Sequence, residues 1–166
     1  MELRPFTEED RSVMLEMLTD PKISQTYMIP DYREKSEAIP LFRRFWELSR
    51  NPDRFVRGIY NGKKLVGFLN DVEVCGSSVE LGYVIHSSHW GKGYATAALK
   101  LAIEALFQRG FTEVVTGAFQ ENPASLRVME KAGMTLLDKQ DVIEYRGVDH
   151  ICIYYHITQK WQKTAP

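Results

Sequence analysis

The chain has 166 residues, a formal net charge of −1, 44% hydrophobic and 26% charged residues. That is enough chain for one soluble domain with a real core, so residues 1–166 are expected to form a single domain. The balanced charge gives no reason to expect a nucleic-acid or anionic-membrane partner, and no apolar run approaches the length of a membrane span.

Glu2–Phe6 reads as a first strand. Thr7 is placed to cap a helix whose first turn carries Glu8, Glu9 and Asp10, acids that suit the positive end of a helix. That helix is expected to run to about Thr19, where Asp20-Pro21 stops it. A second helical stretch follows in two pieces, with Pro40 breaking or kinking it and Leu41–Ser49 the cleaner part. Then comes a β meander. Phe55–Tyr60 and Lys63–Val74 flank Asn61-Gly62, a strong hairpin signal. Gly76-Ser77-Ser78 makes the next turn, and Val79–Ile85 is the third strand of the meander. Alternation puts Glu80, Gly82 and Val84 on one face of it and Leu81, Tyr83 and Ile85 on the other.

The next stretch, His89-Trp-Gly-Lys-Gly-Tyr-Ala-Thr96, sits between that strand and a helical run. The first N–H groups of a helix have no intrahelical partner, and the dipole makes that end positive. Glycines at Gly91 and Gly93 allow positive φ and a close approach of main chain to a ligand. Such a turn suits a phosphate or pyrophosphate, or else it is simply a tight turn with close helix packing. It is not the dinucleotide-binding fingerprint, because Thr96 stands where Gly or Ala is required, and it is not a Walker-type loop.

In the helix that follows, Ala95, Ala98, Leu99, Ala102 and Leu106 keep helical spacing, opposite Lys100, Glu104 and Gln108. Gly110 ends it, and Glu113–Ala118 is a strand. Asn122-Pro123 opens another helix, which Gly133 ends. Two strands close the chain, near Leu136–Tyr145 and Val148–Ile157, with Arg146-Gly147 between them. The order of elements predicts an α/β or α+β sandwich with a mixed sheet. Cys75 and Cys152 read as small buried hydrophobes, and a reducing, cytoplasmic setting is expected. His86, His89, His150 and His156 lack metal-ligand spacing, so no metal is expected.

Three motifs in order carry a resemblance that spans nearly the whole chain. They are Glu80-Leu-Gly-Tyr-Val-Ile85, Trp90-Gly-Lys-Gly-Tyr-Ala-Thr96, and Glu121-Asn-Pro-Ala-Ser125 with its continuation to Gly133. Together they resemble the GNAT superfamily of acetyl-CoA-dependent N-acetyltransferases, and within it the Rim-type branch that acetylates ribosomal-protein N-termini. The resemblance implies a mostly antiparallel central sheet flanked by helices. In it the strands Val79–Ile85 and Glu113–Ala118 run parallel and splay apart at the cofactor site. It implies acetyl-CoA as co-substrate, its pyrophosphate held by main-chain N–H groups of Gly91, Lys92, Gly93, Tyr94, Ala95 and Thr96. Lys92 either adds charge there or is a solvated surface lysine. Trp90 departs from the pattern, which usually has Gln or Arg at that position, and this puts a side-chain contact in doubt.

The resemblance further places the pantetheine arm along main-chain groups of Val84 and Ile85, whose N–H groups also suit an oxyanion, with Asn122 touching the arm. The plainer reading of Asn122 is a cap for the helix at Pro123, which the resemblance outweighs. Glu80 matches a general base, or else is an exposed strand residue or salt-bridge partner. Ser125 matches an acid that protonates the departing thiolate, with a first-turn hydroxyl as the plainer reading and Tyr145, Tyr154 or Tyr155 as other candidates. The acceptor groove is expected near Tyr27, Tyr32, Arg33, Phe42 and Trp46, the last two also suited to core packing.

The implied activity is acetyl transfer to a primary amine by direct attack in a ternary complex, in a monomer or homodimer. A catalytically silent CoA-binding sensor, or a module for another nucleotide, is the alternative.

Overall fold

Residues 1–160 are described by a computed structural model. Its frame is one seven-stranded sheet of β1 (Glu2–Arg4), β2 (Val56–Asn61), β3 (Lys64–Cys75), β4 (Ser78–Ile85), β5 (Glu113–Phe119), β6 (Thr135–Tyr145) and β7 (Val148–Thr158). The order across the sheet is β1-β2-β3-β4-β5-β7-β6. All neighbours are antiparallel except β4 and β5, which run parallel. A parallel pair needs a crossover, and the helix α3 (Tyr94–Gln108) supplies it.

The helices lie on both faces. α3 and α4 (Pro123–Lys131) cover one face through Leu99, Ala102, Leu106 and Met129, packed on Leu81, Val114 and Ala118. α1 (Arg11–Leu18) and α2 (Ile39–Leu48) cover the other through Met14, Leu18 and Phe42, packed on Tyr60, Phe68 and Val84. The period of 3.6 in the helices and of 2 in the strands is therefore used as expected. A smaller cluster of Val115, Phe119, Cys152 and Tyr154 lies on the α1–α2 face, toward the β6–β7 hairpin.

Local departures from the sequence pattern have identifiable causes. Phe6 lies just beyond the short β1 and is fully buried. Thr7 N–H and hydroxyl both donate to Asp10 Oδ2, so the helix begins with a tight single turn over Glu8–Asp10 before α1. Pro40 does not break α2. It lies in the first helical turn, where its missing N–H has no intrahelical partner to lose. The first hairpin turns on Gly62-Lys63, because Asn61 still pairs with Lys64. Gly62 has φ of +61° at the first central position while Lys63 at the second stays out of the positive-φ region, which makes this a type II′ turn and not the type I′ turn that Asn-Gly suggests. Cys152 is buried as expected, whereas Cys75 is exposed at the end of β3.

The feature that positions the site is where β4 and β5 stop pairing. Their register runs from Ser78↔Glu113 to Leu81↔Thr116 and ends there. Beyond it β4 stays paired only to β3, and β5 only to β7. Thr116 Oγ1 donates to Leu81 O at 2.8 Å, pinning the point of divergence from inside the buried core.

Candidate active site

The parted strands leave β4 with one open edge. His86 N–H donates to Val66 O, which makes Ile85↔Gly67 a non-hydrogen-bonded pair of the antiparallel ladder. Ile85 and Tyr83 therefore turn their main-chain N–H and C=O toward the opening, while Val84 turns its own toward Phe68 of β3. This corrects the expectation for Val84, whose peptide groups belong to the sheet and whose side chain is buried. Ile85 stays at the open edge, joined there by Tyr83. The indole N–H of Trp90 donates to Ile85 O at 2.8 Å, so the tryptophan that departs from the family pattern ties the glycine turn to the end of β4.

That turn leads into α3. Gly91 and Gly93 have φ of +75° and +77°, and a Cβ built on either would meet nothing within 4 Å. The glycines are thus required by conformation, and the space above them is open. The first helical N–H with a partner is that of Ala97, on Gly93 O at 3.1 Å. Among the described residues, the N–H groups of Gly91, Lys92, Gly93, Tyr94, Ala95 and Thr96 have no protein acceptor. A row of free donors at the positive end of a 15-residue helix fits a pyrophosphate. Lys92 Nζ reaches His89 Nδ1 at 3.3 Å on the rim of the turn, and the Tyr94 hydroxyl accepts from Asn61 Nδ2, docking the helix start on the first hairpin.

Asn122 and Ser125 stand at the start of α4 on the same face of the sheet. Asn122 Oδ1 accepts from Ser125 N–H at 3.2 Å, so the capping arrangement is realised. Its Nδ2 has no protein hydrogen-bond partner among the described residues. The Ser125 hydroxyl lies 2.6 Å from the Tyr83 hydroxyl across the opening between β4 and α4. Sequence reasoning missed this pair, although Tyr83 shares the Leu81–Ile85 face that meets α4.

Glu80 is on the opposite face, in register with Glu73 of β3 and Val115 of β5. A one-residue bulge at Val72 precedes its partner. Burial raises its carboxyl above the ordinary value; Lys139 pulls it down, while Glu73 and Asp141 push it up. A half-buried carboxylate with a raised affinity for protons is what a base near neutrality needs. Glu80 and Ser125 are thus on opposite faces of the sheet, and β4 parts from β5 just beyond Glu80, after Leu81.

Gly82 lacks a side chain, but the room is filled by Tyr27, whose Cε2 lies 3.3 Å from where a Cβ would stand. The Tyr27 ring packs edge-on against Phe68, and its hydroxyl donates to Asn70 Oδ1 at 2.7 Å. Tyr145 at the end of β6 donates to Ser24 O at 2.7 Å, and Arg146 reaches Ser24 Oγ and Asp31. These bonds clamp the segment after α1 onto the β6–β7 hairpin. Tyr32 and Trp46 are partly buried beside the α1–α2 core, Phe42 is fully within it, and Arg33 is exposed. Phe42 is therefore core, as its spacing allowed.

The three tyrosines considered as acids are engaged elsewhere. Tyr145 holds the clamp, Tyr154 lies on the Glu80 face under Lys139, and Tyr155 donates to Glu130 Oε1 at 3.0 Å.

Residues 1–135 match the family model described as an acetyltransferase (GNAT) domain. The chain is 24% identical over 136 residues to an uncharacterized N-acetyltransferase, p20, of Bacillus licheniformis, covering 76% of this chain and 74% of that protein. Its fold is similar to that of a RimL ribosomal-protein alpha-N-acetyltransferase in complex with coenzyme A, with a TM-score of 0.81 and 20% identity over 94% of this chain and 92% of that one. It is also similar to a spermidine N-acetyltransferase from Vibrio cholerae in complex with CoA and spermine, with a TM-score of 0.79 and 19% identity over 95% of each chain.

Proposed function

The chain belongs to the GNAT acetyltransferase family and is an acetyl-CoA-dependent acetyltransferase, and from that premise we propose that it acetylates a primary amine by direct attack within a ternary complex. The observation that carries this reading is the parting of β4 and β5 after Leu81 and Thr116. It joins a donor-rich helix start on one face to a carboxylate of raised proton affinity on the other.

The free N–H groups from Gly91 to Thr96 hold the pyrophosphate of the co-substrate. The open edge of β4 at Tyr83 and Ile85 pairs with the amide-bearing arm as an added strand would, and Asn122 Nδ2 contributes from α4. Glu80 removes the proton that the amine sheds as its nitrogen bonds to the acetyl carbon, directly or through water. An N–H of the open edge faces the carbonyl oxygen as it gains charge. Ser125 supplies the proton that the departing sulfur takes as the C–S bond breaks.

The acceptor class is a protein N-terminus or a small-molecule amine, and acid–base demand separates them. An α-amine with pKa of about 8 is roughly one-tenth neutral at pH 7, whereas a lysine-like amine near 10.4 is neutral about once in 2,500. A modest base serves the first, and the second asks more of Glu80.

The test is a screen that follows release of free thiol from acetyl-CoA. It sets short peptides with free α-amines against spermidine and single-amine compounds. Turnover with any primary amine supports the reading, and thermal stabilisation by CoA with no turnover across the panel favours a silent CoA-binding protein.

A further inference from the structure

We propose that Tyr83 is a positioning residue for Ser125, holding its hydroxyl so that the serine proton is turned toward the sulfur end of the cofactor arm. The inference rests on the role given to Ser125 above and adds the residue that makes that role effective.

Either hydroxyl can donate across the short bond, which gives two arrangements of protons that keep it. Tyr83 Oη lies 2.6 Å from Ser125 Oγ and 3.2 Å from Ser125 O. A serine hydroxyl has one proton and two lone pairs. In the first arrangement Ser125 donates to Tyr83, and the phenol proton is given to Ser125 O. The serine proton is then consumed inside the protein. In the second, Tyr83 donates to Ser125 Oγ, and the serine proton is free to point into the opening. Passage from one to the other needs only rotation of two hydroxyl protons. A sulfur that gains charge beside Ser125 favours the second, because it accepts the proton that the second arrangement exposes. The same bond selects one staggered position of the serine side chain, whose hydroxyl has no other hydrogen-bond partner among the described residues.

Position within the fold supports the assignment. Tyr83 lies two residues beyond Leu81, the last residue of β4 paired with β5, so its ring stands where the strands part. It packs against the core between the sheet and α3–α4, which limits its motion. Burial pushes its hydroxyl up to about 12, with the Ser125 bond pulling it down. A free thiol titrates near 8.5, so Tyr83 stays protonated while the sulfur changes charge. Tyr83 therefore orients Ser125 and does not itself give up a proton. A phenylalanine would fill the same space and supply none of this, and it defines the experiment.

Y83F, S125A and the double variant are compared by two readouts, with melting temperature recorded for each. The first needs no acceptor. The thiol of CoA is titrated in its complex with each protein by the ultraviolet absorbance of the thiolate. The second is turnover with an amine that the screen returns. In the wild type the serine proton aimed at sulfur lowers the pKa of the bound thiol, and that lowering is expected to shrink in Y83F and in S125A. Y83F is expected to lose about 3- to 10-fold in kcat, the size of one ordinary hydrogen bond, with the KM for acetyl-CoA within about twofold. The double variant should match S125A, since Tyr83 acts only through the serine. If S125A shifts the thiol titration and Y83F does not, the inference fails and the role of Ser125 stands. If S125A changes neither readout, the role of Ser125 itself fails. Additive effects in the double variant would overturn the inference too, by showing that Tyr83 acts independently.

Discussion

The two sides of the sheet are assembled from very different lengths of chain. On the side given to the co-substrate, the donors of Gly91–Thr96 are consecutive, and their geometry follows from two positive-φ glycines and the start of one helix. On the side given to the acceptor, Tyr27 meets Asn70 across 43 residues, and Tyr145 meets Ser24 across 121. Glu80 there faces Glu73 and senses Lys139 and Asp141 on another hairpin. A cradle made of backbone in one short segment keeps its shape when distant residues change. A chamber built from four segments changes whenever any of them does. The difference teaches that one scaffold can retain its co-substrate while its acceptor drifts.

The largest expected effect breaks the acceptor side alone. Glu80→Gln should lower kcat at pH 7 by about 10²- to 10⁴-fold, while CoA binds with unchanged affinity. Part of the rate should return at high pH, where the amine sheds its own proton. A pH–rate profile and a CoA titration check this, and a variant as fast as wild type at pH 7 would make Glu80 an ordinary strand residue.

The converse break is Gly93→Asp. A carboxylate at the start of α3 repels pyrophosphate, and the φ of +77° disfavours a side chain. CoA affinity should fall about 10- to 30-fold, the ~2 kcal/mol scale of an anion at a helix start. Calorimetric titration of CoA is the check, with circular dichroism to confirm the fold. Unchanged affinity would remove the pyrophosphate from this turn.

Tyr145→Phe sharpens the comparison by loosening the long-range clamp only. Loss of the bond to Ser24 O, worth about 1 kcal/mol, should lower Tm by about 2–4 °C. The KM for the amine should rise with CoA affinity unaltered. A variant in which both affinities fall together would show that the two sides are not independent.

The smallest effect is on stability. Because the carboxyl of Glu80 is raised in the folded state, its charged form is disfavoured there relative to the unfolded chain. The resulting loss of stability is absent below the unfolded pKa and fully present once pH exceeds the folded one. Glu80→Gln removes it, so the variant should melt slightly higher than wild type at neutral pH, and the difference should vanish in acid. Thermal melts across pH 4–8 test the sign. A lower Tm at pH 7 would mean that the carboxylate stabilises the fold through its neighbours.

Much of the architecture was legible in the sequence because it depends on local periodicity. Alternation in Val79–Ile85 separates Glu80 from Tyr83 across the sheet, and the spacing Ala98-Leu99-Ala102-Leu106 defines the buried stripe of α3. Asn122-Pro123 marks the start of α4 because an Asn side chain caps and Pro suits the first turn. Gly91 and Gly93 announce a turn that only glycine adopts easily.

What the sequence could not decide lies where distant segments meet. Val84 and Ile85 are adjacent and alike in composition, yet only the pairing with β3 determines that Ile85 faces the opening and Val84 does not. Gly82 shares the Glu80 face and has no side chain, and a ring from residue 27 occupies the space beside it. Tyr83 meets Ser125 only because β4 parts from β5 and α4 packs over the gap. Tyr145 looked like a candidate acid until its hydroxyl was found on Ser24 O. In each case the residue type states what bonds are possible, and register and packing choose the partner. Periodicity and turn chemistry act over a few residues and can be read along the chain, whereas a hydrogen bond spanning 42 or 121 residues exists only once the sheet has set both ends side by side.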